Sequence, residues 1–185
     1  MARLPLPSRE NVPENQRDAF DDIVKGTGSV PRVGPGSVAL HLPHAHQRLM
    51  GLNRFLRSES SLAKKLQELA MLVTARELDC QYIWNAHATS AREAGVTNAL
   101  VDALRERREL PATRDDETAV VRFGQEFFRT HRVSRGTFQL ALESLGQRGA
   151  IELALFLGNY ASLALLVNSF DGDLPSDRKE PLLPV

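Results

Sequence analysis

The sequence predicts an all-α bundle of about seven to eight helices. Three observations carry this reading. Apolar residues recur at three- and four-residue steps along most of the chain, and no run alternates apolar and polar residues for more than a few positions. Ser, Thr, Gly and Pro fall where helices of ordinary length would start and stop. With 185 residues, 42% of them hydrophobic and 25% charged, the chain can bury one core, and one folded domain is expected.

The elements follow in order. Residues 1–25 read as an N-terminal extension, Pro-rich to position 13, with a short helix from Glu14 to Lys25 ended by Gly26. The stretch 26–38 holds four glycines and two prolines, which is loop chemistry. It lacks the Gly-Lys-Ser/Thr ending of a phosphate-binding loop. Pro43 is expected to break the local helix. From His46 onward the helical period returns, with Leu49, Leu52 or Asn53, and Leu56 on one face.

Ser61 can cap a helix that carries Leu62, Leu66, Leu69 and Val73 to about Leu78, and a second helix spans Cys80 to Ala94 before Gly95. Thr97 to Glu109 is a short amphipathic helix ending before Pro111. Thr113 and Asp116 then resemble a capping box ahead of a stripe of Val120, Phe123 and Phe127. Ser134 caps a segment with Phe138, Leu142 and Leu145 that stops at Gly146. The last helix, Arg148 to about Phe170, is apolar nearly all round and has to be covered by neighbours or by another subunit. Residues 26–170 thus form the helical domain and 171–185 a tail.

Composition excludes several function classes. Lys plus Arg (23) balance Asp plus Glu (23), so no net field attracts nucleic acid or an anionic membrane. The opening residues lack the apolar core of a secretory signal. The longest apolar stretch, Ile151 to Val167, carries Glu152 and Asn159 and reads as a core helix rather than a membrane span. The single cysteine, Cys80, rules out an intramolecular disulfide and fits a reducing cytoplasm.

The candidate chemistry lies between Glu68 and His87. Cys80, Trp84 and His87 stand at i, i+4 and i+7, so on one helix they share a face and a thiol can meet an imidazole. Glu68, on the preceding helix, approaches the imidazole if the two helices pack side by side about the Asp79 junction. A carboxylate against one ring nitrogen fixes the tautomer and raises the basicity of the other. An imidazole near Cys80 would favour the thiolate. Spacing alone does not choose between these. Each residue alone has a plainer reading: a lone cysteine on an apolar face is more often packing than nucleophile, His87 suits a core position, and Trp84 suits a core position better than a substrate platform.

The arrangement resembles the signature of the carboxymuconolactone decarboxylase and alkylhydroperoxidase D-like superfamily. There a Glu is followed twelve residues later by a Cys, three later by a second Cys and four later by a His. Glu68, Cys80 and His87 match, while Ile83 replaces the second Cys. Cys80 therefore has no resolving partner in the motif, and a sulfenate there would need an external thiol. The segment TyrIleTrpAsnAlaHis at 82–87 is similar to a branch that reads Tyr-Glu-Trp-x-x-His, with Ile83 in place of its Glu. GlyPro at 34–35 with the following AlaLeuHisLeuPro, and ArgGlyAlaIleGluLeu at 148–153 with GlyAsnTyr at 158–160, extend the resemblance.

The resemblance implies an AhpD-like helical bundle, assembled as a trimer or hexamer, acting on a small molecule without metal or cofactor. It implies Glu68, Cys80 and His87 as catalytic groups, with Tyr82, Ile83, Trp84, His41 and His44 as candidates to line the substrate site. The HxxHxH run His41, His44 and His46 could suggest a metal, but with Pro43 inside it the three imidazoles need not converge, and it is read instead as placing His41 or His44 at the pocket mouth. Two activities fit: a peroxiredoxin-like oxidoreductase, or a decarboxylase of a carboxylated lactone using Glu68 and His87 as acid and base. A silent binding or assembly module is the third reading.

Overall fold

Residues 3–176 and 178–185 are described by the computed structural model, and among them every long element is an α-helix. The first two residues of the extension and position 177 of the tail lie outside the described residues. Eight α-helices follow a short 3-10 turn at Glu14–Gln16: α1 Arg17–Thr27, α2 Gly34–Ala39, α3 Pro43–Glu59, α4 Lys64–Glu77, α5 Gln81–Glu93, α6 Asn98–Arg105, α7 Asp115–Thr130 and α8 Arg135–Ser169.

The centre is α4. Every residue from Leu66 to Arg76 is buried, because α5, α7 and α8 pack around it. A helix covered on all sides has no polar face to spare, so its polar groups must find partners inside the protein. Its Glu68 becomes the hinge of the site described below.

Several boundaries differ from the sequence expectation, each for a local reason. The glycine-rich stretch contains α2, with Pro35 in its first turn, where a missing amide hydrogen costs nothing. Pro43 likewise starts α3 instead of breaking it. Ser61 does not cap α4, whose N-cap is Ala63. Its hydroxyl and amide instead go to Glu152 on α8. The capping box before α7 is one residue later, using Arg114 and Glu117. Ser134 and Thr97 do cap their helices. The two segments expected either side of Gly146 run on as α8, with a kink at Gly146, where φ is +69°.

By length and apolar composition α8 resembles a membrane span, yet more than half of its most apolar stretch is buried in the bundle. It serves as a core helix on one side. Its outer side, from Ile151 to Leu165, is exposed.

The tail is docked. Gln81, at the start of α5, holds Leu183 at both backbone groups: its amide donates to the Leu183 carbonyl at 2.9 Å and its carbonyl accepts the Leu183 N–H at 2.7 Å. Arg76 donates to the Pro184 carbonyl at 2.9 Å. The Leu183 side chain, buried, belongs to the same core as α4 and α5. Leu183→Ala is expected to cost about 2–3 kcal/mol, read as a lower denaturation midpoint in urea at unchanged slope. An unchanged midpoint would mean that the tail is only laid on the surface.

Candidate active site

The chain turns sharply between α4 and α5. Asp79 adopts φ +48°, Cys80 is extended, and α5 begins only at Gln81. Asp79 is held in this conformation by Arg76 at 2.6 Å and Arg107 at 3.0 Å. The turn lays α5 alongside α4, so that His87, near the middle of α5, faces Glu68 in the first half of α4.

The two side chains meet inside the protein. Glu68 is fully buried, and its Oε2 lies 2.8 Å from His87 Nδ1. An ionised carboxylate only accepts, so the proton sits on Nδ1 and the ring donates. Nε2 is then the nitrogen with a free lone pair, and it has no hydrogen-bond partner among the described residues. The side chain keeps 11% of its surface exposed. Tyr160 on α8 packs edge-on to the imidazole, with ring centroids 5.3 Å apart.

Two cations complete the group. Lys64 Nζ lies 2.6 Å from Glu68 Oε1, one helical turn earlier on α4, and Arg57 Nη2 lies 3.8 Å from the same oxygen. Burial, the largest single influence, pushes the Glu68 carboxyl up. The hydrogen bond and charge of His87, with those of Lys64, outweigh it and hold the group below the ordinary carboxylate range. Glu68 therefore stays charged in the core. Burial also pushes the Tyr160 phenol well up, so that it remains protonated.

Sequence reasoning placed Glu68 and His87 together but missed Lys64, Arg57 and Tyr160. Lys64 was legible as an i, i+4 partner of Glu68. Arg57 and Tyr160 come from α3 and α8, and no local pattern marks them.

Cys80 departs from the expectation. It is the N-cap residue of α5, its carbonyl accepting from the Trp84 amide at 3.1 Å, and no hydrogen bond joins its thiol to His87 among the described residues. The thiol is fully buried. Burial pushes its pKa up, and the amides of Ile83 and Tyr82 at the helix start only partly oppose this. A thiolate is disfavoured in the folded protein.

The other candidate lining residues are scattered. Ile83 and Trp84 are core residues, and the Trp84 indole N–H has no partner among the described residues. Tyr82 packs against Gly34, where φ is +77° and a Cβ would come 2.3 Å from the phenol oxygen. His41 bonds the Pro5 carbonyl at 3.1 Å through Nε2, and His44 is exposed, its amide donating to Gln16. Neither histidine reaches Glu68 or His87. His46 is buried, which lowers its pKa. No cluster of three or more metal-binding side chains occurs among the described residues.

Residues 43–126, which include α3 to most of α7 and the whole Glu68 to His87 motif, match the Carboxymuconolactone decarboxylase family model. This segment is similar to the carboxymuconolactone decarboxylase family, and the match spans less than half of the chain. Solved structures agree in fold. The alkylhydroperoxidase AhpD core from Ralstonia eutropha JMP134, a peroxidase-related protein, superposes with a TM-score of 0.72 at 16% identity, over 95% of this chain and 93% of that one. A peroxidase-related protein from Silicibacter sp. TM1040 gives 0.71 at 16% identity, over 96% and 93%. The debrominase Bmp8, as a cysteine-to-alanine variant in complex with 2,3,4-tribromopyrrole, gives 0.68 at 14% identity, over 95% of each chain. Among curated proteins, none matches the chain.

Proposed function

We propose that the chain is an acid–base enzyme of the carboxymuconolactone decarboxylase superfamily in which His87 Nε2 carries the proton and Glu68 fixes the ring. The buried 2.8 Å contact between Glu68 and His87 Nδ1 carries this reading, since it leaves one basic nitrogen free in a sheltered position. A small carboxylated lactone suits the group. Nε2 first takes a proton from solvent; as the substrate's carboxylate leaves as carbon dioxide, the bond's electron pair passes to the ring system, and Nε2 returns that proton to the carbon that received the pair.

Thiol chemistry is the competing activity, and the similarity to peroxidase-related proteins and to a debrominase keeps it in view. It needs Cys80 as a thiolate, which burial opposes, and it needs an external reductant because Ile83 stands in the second cysteine's place. The superfamily resemblance asks for no metal or cofactor, and a single unpaired cysteine fits a cytoplasmic setting.

The test compares two variants against two substrates, a carboxylated lactone and an alkyl hydroperoxide supplied with a small thiol. Lactone turnover that survives Cys80→Ser and falls more than about tenfold in His87→Gln supports acid–base chemistry. Peroxide turnover lost in Cys80→Ser and kept in His87→Gln would replace it with the thiol reading.

A further inference from the structure

The group around His87 carries more positive than negative charge. Glu68 supplies one negative charge, Lys64 and Arg57 supply two positive ones, and the neutral imidazole adds none. Lys64 at 2.6 Å and His87 at 2.8 Å take one carboxylate oxygen each, whereas Arg57, at 3.8 Å, stands beyond hydrogen-bond reach. Among the described residues no acid other than Glu68 lies within ion-pair distance of Arg57, and the buried Glu152 of α8 is already met by Arg148. One positive charge is left over beside Nε2, and a proton taken up there makes it two.

Two sets of donors in this group are uncommitted. Arg57 lies in the last turn of α3 with 41% of its side chain exposed, and its guanidinium makes no hydrogen bond among the described residues. Its five N–H groups form a planar fork that matches a planar oxyanion. Tyr160 reaches in from α8. It is 2% exposed, its ring lies edge-on to His87 and nearly parallel to Phe156, and its hydroxyl has no hydrogen-bond partner among the described residues. Burial keeps the phenol protonated, and beyond burial the charges of Arg57 and Glu68 both act on it, which places its hydroxyl in the same group. A buried polar group without a partner is costly unless something comes to bond it, and a protonated phenol donates to an anion.

We propose that the Arg57 guanidinium and the Tyr160 hydroxyl form a subsite for a planar oxyanion beside His87 Nε2, occupied in turnover by the enolate oxygen formed as carbon dioxide leaves. The role in turnover rests on the acid–base reading of His87; the binding of an anion does not. When the bond to the departing carboxylate breaks, its electron pair enters the lactone ring and reaches the carbonyl oxygen, which takes the negative charge. Donors already aimed at that oxygen stabilise the charge as it develops, and the proton returned to carbon by Nε2 discharges it. The departing carboxylate is the wrong occupant, because an ion pair with it stabilises the ground state and opposes its loss.

Two measurements on the full chain separate the subsite from the reaction. The first needs no turnover: furoate, a planar five-membered ring bearing a carboxylate, and its neutral amide are titrated into the protein by calorimetry at pH 7. Furoate is expected to bind at least about tenfold more tightly than the amide, by a margin that shrinks as salt is raised. Arg57→Gln, at a half-exposed position, should abolish the preference without changing the helical circular dichroism, and Arg57→Lys should keep part of it, since an ammonium supplies the charge without the fork. Tyr160→Phe keeps the ring against His87 and should weaken furoate by about three- to tenfold while leaving the amide unchanged. Equal binding of furoate and amide by the wild type, or a preference that survives Arg57→Gln, overturns the subsite whatever the reaction proves to be. The second measurement is lactone turnover, where Arg57→Gln and Tyr160→Phe should each lower kcat by about tenfold or more and change KM by less than about threefold. A raised KM at unchanged kcat would put a substrate carboxylate there in place of the enolate and overturn the proposal. A wild type that prefers furoate yet turns over no carboxylated lactone would sink the acid–base reading and leave the anion subsite standing.

Discussion

Glu68→Gln is expected to lower turnover by about two to four orders of magnitude while leaving the helical fold intact. The substitution conserves shape, so the effect follows from hydrogen-bond polarity. Lys64 sits 2.6 Å from Oε1 and His87 Nδ1 sits 2.8 Å from Oε2. A glutamine here has one oxygen and one NH2 group to distribute between them. The ammonium only donates, so it takes the oxygen, and the NH2 then faces Nδ1. Nδ1 must become the acceptor, the proton moves to Nε2, and the nitrogen that served as base now carries a proton. Nitrogen-15 NMR of the imidazole reads the tautomer directly: protonated Nδ1 in the wild type, protonated Nε2 in the variant. Removing the ammonium as well, in Lys64→Met with Glu68→Gln, frees the amide to turn its oxygen toward His87 and should restore part of the loss. If Glu68→Gln turned over normally with the tautomer unchanged, the carboxylate would have no role in orienting the ring.

The site's central pair was legible because both partners sit on adjacent helices joined by a short turn, where spacing nearly determines who can meet. Spacing says less about Cys80. The positive φ of Asp79, fixed by Arg76 and Arg107 from other turns, makes the cysteine the N-cap of α5 and not its first full residue. Its complete burial, which pushes the thiol pKa up, comes from packing that no local pattern marks. Pro43 shows the converse. Inside a helix its ring would act as a breaker, but at a helix start the absent amide hydrogen has no bond to lose. The helical class, most helix positions and the uncovered side of the last helix followed from periodicity. Arg57, Tyr160 and the docked Leu183 did not, because each reaches its place through contacts across long stretches of chain.

The second large effect lies at Glu152, which ties the turn between α3 and α4 to α8. Its Oε2 accepts from the hydroxyls of Ser60 at 2.8 Å and Ser61 at 2.7 Å and from the Ser61 amide at 2.8 Å, while Arg148 donates to Oε1 at 2.8 Å. Burial pushes this carboxyl up, but the bonds from Ser61, Arg148 and Ser60 prevail and hold it at about 2, against an ordinary 4.5. A carboxyl whose pKa is lowered by folding adds stability above its unfolded value, and that stability fades as pH falls from 4.5 toward about 2. Glu152→Gln is therefore expected to cost about 2–3 kcal/mol at pH 7 and under about 1 kcal/mol near pH 2, read from urea unfolding at each pH. A cost independent of pH would mean that shape and not charge holds the turn. The consequence reaches the site, because Ser60 and Ser61 lie in the short turn that leads through Leu62 and Ala63 into α4, whose first residue, Lys64, meets Glu68. A turn released from Glu152 leaves that ammonium free to leave the carboxylate, so turnover in Glu152→Gln should fall even where the protein remains folded.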